Sequence, residues 1–344
     1  MKKWALGLVL LCAAGVGLVS CMTPPDRVWQ RPSSGSTVPA TETISVLTWN
    51  LGYGGLGAQS DFVADGGENV LPPSRSVVGQ NVKRIVSELQ NTDVDIFLLQ
   101  ELARPSPVNW WTDVLGTVDR TLDAYDRLFY ADLYTRWNPP PFRFSHGLGV
   151  YSRMTASEAE VVPLPLEEKD ILPGTKRQYG LLVTRLVPKK PCGPHWTIID
   201  LHLSAFDESA GLRHAQLEKV MQFATAEYAK GRHVILGGDW NLLLVKTDFP
   251  HTTKEKDLFW IHDFPADSLP PGWRIAADDR VPSVRTNEKP YVRGENFRGV
   301  IDGFVVSPNV RIDNVFARDT DFSATDHQPV QGIFHADVQC GDET

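Results

Sequence analysis

The chain has 344 residues, with 42 acidic and 34 basic side chains, and its formal net charge of −8 excludes a protein that coats nucleic acid by bulk charge. Hydrophobic residues make up 42% and charged residues 22%, which excludes a disordered chain. The length admits one large domain or two small ones, and the order of elements decides between them.

Lys2 and Lys3 precede a run from Trp4 to Ser20 that carries no charge and is rich in Leu, Val, Ala and Gly. Pro24, Pro25 and Asp26 follow too soon for a spanning helix of about 20 apolar residues, so the run reads as a secretory signal. Its end, Leu18-Val19-Ser20-Cys21, resembles a bacterial lipoprotein box. That implies a signal peptide over 1–20 and an exported lipoprotein of the cell envelope, periplasmic or surface-facing, anchored to a membrane through lipidated Cys21. Residues 21–43, rich in Pro, Ser, Thr and Gly, read as a flexible tether, and 44–340 as one domain. Cys192 and Cys340 remain as an even pair in an oxidising compartment, where a disulfide and two separate thiols both fit.

Ile44–Asn50 is β-branched and aromatic, which predicts a strand, and it runs into a glycine-rich turn. Val78, Val82, Ile85, Val86 and Leu89 then share one helical face. Asp95–Glu101 is a second strand ending in a carboxylate, and strand-like runs recur at 147–152, 179–187, 196–203, 233–238, 301–306 and 329–338. A helix over 208–229 is predicted by the shared face of Leu217, Val220, Met221, Ala224 and Tyr228. Two strand-rich halves with helices outside suggest a layered α/β sandwich. Two long insertions, 106–144 and 246–299, are rich in aromatics or prolines and read as part core, part substrate-facing wall.

Polar residues at strand ends carry the chemistry, because rigid strands aim several side chains into one cleft. The ends are Trp49-Asn50, Gln100-Glu101, Asp200-Leu-His202-Leu-Ser204, Gly237-Gly-Asp239-Trp-Asn241 and Thr325-Asp326-His327, with Asp302 at a strand start. Asp239 can orient or deprotonate a water, and Asn241 can donate to an oxygen that gains charge. Asn50, Glu101 and Asp326 form an all-oxygen set suited to a hard cation, Mg²⁺ or else Mn²⁺ or Ca²⁺. His202 and His327 add protonable donors, and Asp302 is placed to hold the His327 ring and raise its pKa. His195, His214, His233, His251, His262 and His335 read as surface or core, and Asp200, Asp207 and Glu208 as solvated or capping groups.

This ordered set resembles the endonuclease/exonuclease/phosphatase superfamily, which includes deoxyribonucleases, sphingomyelinases and inositol polyphosphate phosphatases. The resemblance implies a four-layered α/β sandwich with two facing mixed β-sheets flanked by helices, and a metal-dependent phosphoric ester hydrolase acting by in-line attack of water on phosphorus. Residue by residue it implies Glu101 as principal metal carboxylate with Asn50 and Asp326 completing the shell. It further implies Asp239 as the residue positioning water, Asn241 as a phosphate-oxygen donor, His202 and His327 flanking the phosphate, and Asp302 orienting His327. The resemblance offers Ser283 or Thr286 for a hydroxyl position of the family, although the surrounding Pro-Ser-Val-Arg-Thr departs from the family's pattern. The expected substrate is a phosphodiester, either nucleic acid, placed first, or a phospholipid headgroup, and the expected state is a monomer. Arg285, Lys289, Arg293 and Arg298 read either as a phosphate grip or as a solvated loop. The other compatible class is a catalytically silent surface lipoprotein acting as an adhesin or ligand binder.

Overall fold

The computed structural model describes residues 28–134, 144–167, 177–205 and 208–337. The signal segment 1–20, Cys21, Trp137, Asp207 and Cys340 lie outside the described residues. Cys192 is disulfide-bonded.

The strands, in chain order, are β1 (Trp29–Arg31), β2 (Thr43–Asn50), β3 (Ile96–Ala103), β4 (Asp126–Tyr134), β5 (Ser145–Ser152), β6 (Ala156–Pro163), β7 (Gly180–Leu186) and β8 (Trp196–His202). They continue as β9 (His233–Asp239), β10 (Arg274–Ala276), β11 (Val284–Arg285), β12 (Arg298–Gly299), β13 (Asp302–Val306), β14 (Val310–Ala317) and β15 (Val330–Ala336). A seven-stranded sheet runs β1-β4-β5-β3-β2-β15-β14 and a six-stranded sheet runs β10-β13-β9-β8-β7-β6. Each is mixed: β2 and β3 are parallel in the first, β8 and β9 in the second.

Apolar burial explains the layering. Ile44, Val46, Ile96 and Leu98 of the first sheet share one core with Ile198, Ile235 and Phe304 of the second. Phe304 and Phe334 meet edge to face across it at 5.1 Å. The outer face of the first sheet packs on the helices Arg75–Gln90 and Val114–Thr121 through Val78, Val82, Ile85 and Val118. The outer face of the second packs on the helix Gly211–Ala229 through Leu217, Val220 and Ala224. Helix, sheet, sheet and helix make four layers, as expected. Among the described residues no helix is long and apolar enough to cross a membrane.

The predicted strands are present, and others were not read. β6 and β14 lie at sheet edges with largely exposed or half-buried side chains, so neither presents a continuous apolar run. β4 falls inside the aromatic insertion, where Tyr125, Phe129 and Tyr130 belong to the cores. Part of the stretch read as tether is also in place along the sheets. β1 pairs with β4, Ala40 is fully buried, and Val38 and Ala40 bridge to Met154 and Pro188. The folded part thus begins before Ile44, because backbone pairing needs no apolar run in the paired segment. Asp200 is not solvated: it is fully buried between the sheets, where Gln100 Nε2 donates to it at 2.6 Å and burial holds its carboxyl well above the usual carboxylate range.

The helix Gly211–Ala229 is tied to its sheet by a buried carboxylate. Glu227 accepts from Arg185 Nε at 2.8 Å, from Thr197 Oγ1 at 3.2 Å and from Lys230 Nζ at 2.6 Å. Burial alone would raise its pKa, but the hydrogen bonds of Arg185 and Lys230 outweigh it and hold the group at about 2. The folded pKa lies below the ordinary 4.5, so this stabilisation is complete above that value and is lost as the pH falls towards 2. Glu227→Gln is therefore expected to melt below the wild type at neutral pH, with the gap closing in acid. A gap of equal size at about pH 7 and about pH 3 would contradict the assignment.

Candidate active site

Strand register builds the site. His202 and Asp302, on β8 and β13, each pair directly with Asp239 on the central β9. Cross-strand partners share a face, so the three side chains emerge in a row at one end of the sheet. Gly238 permits this, since a Cβ there would lie 2.0 Å from Leu201 O and its φ is +151°. From the other sheet, Asn50 at the end of β2 pairs with Gln100 of β3, the residue before Glu101. The β3–β5 pairing shifts register between Leu99 and Leu102, and Glu101 takes a φ of 54° there. This bulge turns the Glu101 carboxylate out of the ladder and into the cleft, with backbone strain stored at the site.

Asp326 and His327 come from the loop before β15. That loop is fixed from both sides: Trp49 Nε1 donates to His327 O at 3.0 Å, and Arg285 N donates to Asp326 O at 3.0 Å. All the predicted site residues except Asp302 line one cavity of about 580 Å³, and Asp302 stands directly behind His327.

Asp239 Oδ2 is the focus of the floor. Asn50 Nδ2 donates to it at 3.0 Å, while His202 Nε2 and His327 Nε2 approach at 3.4 and 3.7 Å. Asp239 Oδ1 accepts from Asn241 N at 3.0 Å, and the Asn241 amide donates to Leu203 O at 2.9 Å, leaving its second N–H for the cavity. His327 Nδ1 lies 2.9 Å from Asp302 Oδ2. Burial would lower the His327 pKa, but Asp302 and then Asp239 outweigh it and push it up to about 10. Both ring nitrogens face carboxylates, so the ring is an imidazolium. Ser283 fixes the start of β13 behind it, its Oγ accepting from Ile301 N at 3.0 Å and Asp302 N at 2.9 Å.

The other side of the cavity is acidic. Burial raises the Glu101 pKa and Asp326 raises it further; burial, Glu101 and Asp326 together push the Tyr53 phenol well above its ordinary value. Among the described residues Glu101 makes no hydrogen bond or ion pair. Asp326 is held by Asn287 Nδ2 at 2.7 Å and Thr325 Oγ1 at 3.0 Å. Asn50 Oδ1 accepts from Gly52 N at 2.9 Å and keeps a second lone pair. Two carboxylates and an amide oxygen with surplus negative charge fit a hard divalent cation. The tight cluster of Asp239, Asp302 and His327 suits one less, because the imidazolium already supplies its positive charge.

Several lining residues carry no motif in the sequence. Asp132, behind the lining residues Arg177 and His146, sits where the β4–β5 register shifts, between Ala131 and Leu133, and accepts from Arg177 Nη2 at 2.8 Å. Its other oxygen lies 3.1 Å from His146 Nδ1. Asp65, pushed up to about 8 by burial, accepts from Trp260 Nε1 at 2.6 Å and from Asn287 N. A buried charge demands a partner, but which strands supply it is a matter of register, and no spacing in the sequence reveals it. The basic run before Asp302 is not a phosphate grip. Arg285 is buried and donates to Leu56 O, Gly57 O and Ser60 O, Lys289 pairs with Glu295, Arg293 with Asp319 and Asp321, and Arg298 donates to Pro250 O.

Binding of a divalent cation at Glu101 is expected to raise the melting temperature, with stabilisation reaching about 2.7 kcal/mol at a hundredfold excess over Kd. Glu101→Gln removes one of two repelling carboxylates, so the variant should be at least as stable without metal and should respond to Mg²⁺ no further. A calorimetric titration giving equal Mg²⁺ affinity for both proteins would contradict the placement.

A profile described as the Endonuclease/Exonuclease/phosphatase family matches residues 47–330. No curated protein matches the chain in sequence. Among solved structures, an endonuclease/exonuclease/phosphatase from Beutenbergia cavernae DSM 12333 superposes with TM-score 0.57 at 18% identity, over 86% of this chain and 72% of that one. Truncated TDP2 from Caenorhabditis elegans gives 0.53 at 17% identity, over 86% and 98%. The human Nocturnin catalytic domain with bound sulfate gives 0.51 at 17%, over 87% and 96%. These likenesses concern the two-sheet fold, and the family match spans both sheets and the site: the chain belongs to the endonuclease/exonuclease/phosphatase family, whose members generally hydrolyse phosphate esters.

Proposed function

We propose that the protein is a divalent-cation-dependent phosphodiesterase of the cell envelope, anchored by lipidated Cys21, that cleaves its substrate by in-line attack of water on phosphorus. The observation that carries this reading is the floor around Asp239 Oδ2, where one carboxylate oxygen is ringed by Asn50, His202 and His327. Asp239 orients a water and accepts its proton as the new P–O bond forms. His327, an imidazolium between Asp302 and Asp239, and the free N–H of Asn241 stabilise the charge gathering on the phosphoryl oxygens. Glu101, Asp326 and Asn50 would hold the cation, which supplies Lewis-acid charge to the reacting phosphate. The bond from phosphorus to the leaving oxygen breaks as the attack completes; that oxygen takes a proton from solvent and leaves as an alcohol, the phosphomonoester remains, and Asp239 returns its proton to solvent.

Cavity composition favours an apolar substituent on the phosphate. Phe62, Val70, Val108, Leu133, Phe144 and Trp260 line it. Arg177 and Arg285 are the arginines among the described lining residues, and both are engaged by protein partners, as the His327 ring is by Asp302. Val63, Val70 and Leu71 are exposed in the segment that carries the lining residues Phe62 and Val70, and Trp111 in the one that carries Val108; Trp110 Nε1 joins the two by donating to Pro72 O at 3.0 Å. An apolar rim around an apolar cavity suits an amphiphilic diester such as a phospholipid better than a nucleic acid backbone.

The test is turnover, with and without EDTA and Mg²⁺, of bis-p-nitrophenyl phosphate, DNA, RNA and phospholipid vesicles. Mg²⁺-dependent cleavage is expected, with phospholipid ahead of DNA and RNA. Asp239→Ala and His327→Ala should each lower the rate by about a hundredfold or more. A folded protein that turns over no phosphate ester would leave the silent ligand-binding lipoprotein in its place, and a preference for DNA or RNA would overturn the substrate ranking.

A further inference from the structure

The two histidines on the cavity floor are wired oppositely. His327 has a carboxylate on each side. His202 faces Asp239 through Nε2 at 3.4 Å, but its Nδ1 lies 2.7 Å from Arg177 Nη2. A guanidinium has donors and no acceptor, so a hydrogen bond at that distance requires a bare lone pair on Nδ1. The single ring proton is then on Nε2, the nitrogen turned to the cavity.

Arg177 cannot swing away to release that constraint. Its Nε and Nη2 donate to Asp132 Oδ2 at 3.1 and 2.8 Å, and its guanidinium lies 4.7 Å above the Tyr179 ring. Asp132 is anchored in turn by His146, and Arg177 and His146 hold its carboxyl below the usual carboxylate range against the effect of burial. The groups facing His202 are therefore Arg177, Asp132, His146, Asp239 and, across the floor, His327. Burial and then Arg177 push the His202 pKa well below its ordinary value, in agreement with the geometry.

From this arrangement we infer that Arg177, clamped by Asp132, fixes His202 as a neutral imidazole protonated on Nε2, which donates a hydrogen bond to the substrate phosphate and moves no proton itself. The inference deepens the phosphodiesterase reading and rests on it for the identity of the acceptor. Arg177 is a positioning residue, acting through His202. Proton traffic is left to Asp239, and cationic stabilisation to His327 and the metal.

The first arm of the test needs no turnover. In the full chain labelled with ¹⁵N-histidine, two-bond ¹⁵N–¹H correlations report the tautomer of each ring, and His202→Gln identifies the His202 signals. One protonated Nε2 and one bare Nδ1, unchanged from about pH 8 to about pH 5.5, are expected. Two protonated nitrogens at neutral pH, or a proton on Nδ1, would overturn the inference. In the double variant Asp132→Asn/Arg177→Met, which removes both charges of the pair together, the fixed tautomer should be lost. A pattern identical to the wild type there would show that Arg177 does not set it. The second arm is kinetic: the amide nitrogen of glutamine sits near the position of Nε2, so His202→Gln should exceed His202→Ala in kcat by about tenfold or more, without a new limb in the pH profile. Equal losses would assign His202 to proton transfer. Absence of phosphodiester turnover in the wild type would refute the functional reading while the tautomer measurement still judges Arg177.

Discussion

One hydrogen bond joins the ends of the two sheets where the chemistry is placed: Asn50 Nδ2 donates to Asp239 Oδ2 at 3.0 Å. Asn50 closes β2 of the seven-stranded sheet and Asp239 closes β9 of the six-stranded one. Every other distance on the floor depends on the packing that makes this contact. Ile44, Val46, Ile235 and Phe304 set the separation of the sheets, and a methylene lost from that core would be felt at the site as a shift of one carboxylate against its donors. Buried polar groups nearby, Gln100 against Asp200, pin the same two sheets through a second, deeper contact.

The floor separates charge into two halves. On one side Glu101, Asp326 and Tyr53 crowd negative or ionisable oxygen into a buried space, and desolvation makes that arrangement unfavourable unless a cation joins it. On the other side each carboxylate already has its counter-charge, Asp302 in His327 and Asp132 in Arg177. The metal-poised half and the internally neutralised half meet at Asp239. On the proposed reading, a phosphate diester in this cavity would meet the oxygen set suited to a cation, the Asp239 carboxylate and both imidazoles together, beside apolar walls.

The strand ends were legible because their chemistry is written locally. Asn50, Glu101, His202, Asp239, Asn241, Asp326 and His327 sit in short polar stretches next to apolar runs and Asp302 opens one, and the structure brings all of them together. Long-range pairing was not legible. Asp132 and His146 reach the site through a register shift between β4 and β5, and Arg177 reaches it from the approach to β7. In sequence the basic residues before Asp302 fit a phosphate grip and a solvated loop equally, and only the fold supplies their partners: Arg285 Nη2 donates to loop carbonyls and Arg293 pairs with Asp319 and Asp321. Edge strands such as β14, where exposed residues outnumber buried ones, gave no apolar period to read. The aromatic wall was half legible, with Phe144 and Trp260 in the cavity and Tyr125 and Phe129 in the core.

The central claim, attack of water on phosphorus, is tested most directly by isotope. Hydrolysis of bis-p-nitrophenyl phosphate in ¹⁸O-water with Mg²⁺ should place one ¹⁸O in the p-nitrophenyl phosphate product and none in p-nitrophenol. Label in the p-nitrophenol, or no product with the protein correctly folded, would contradict the account.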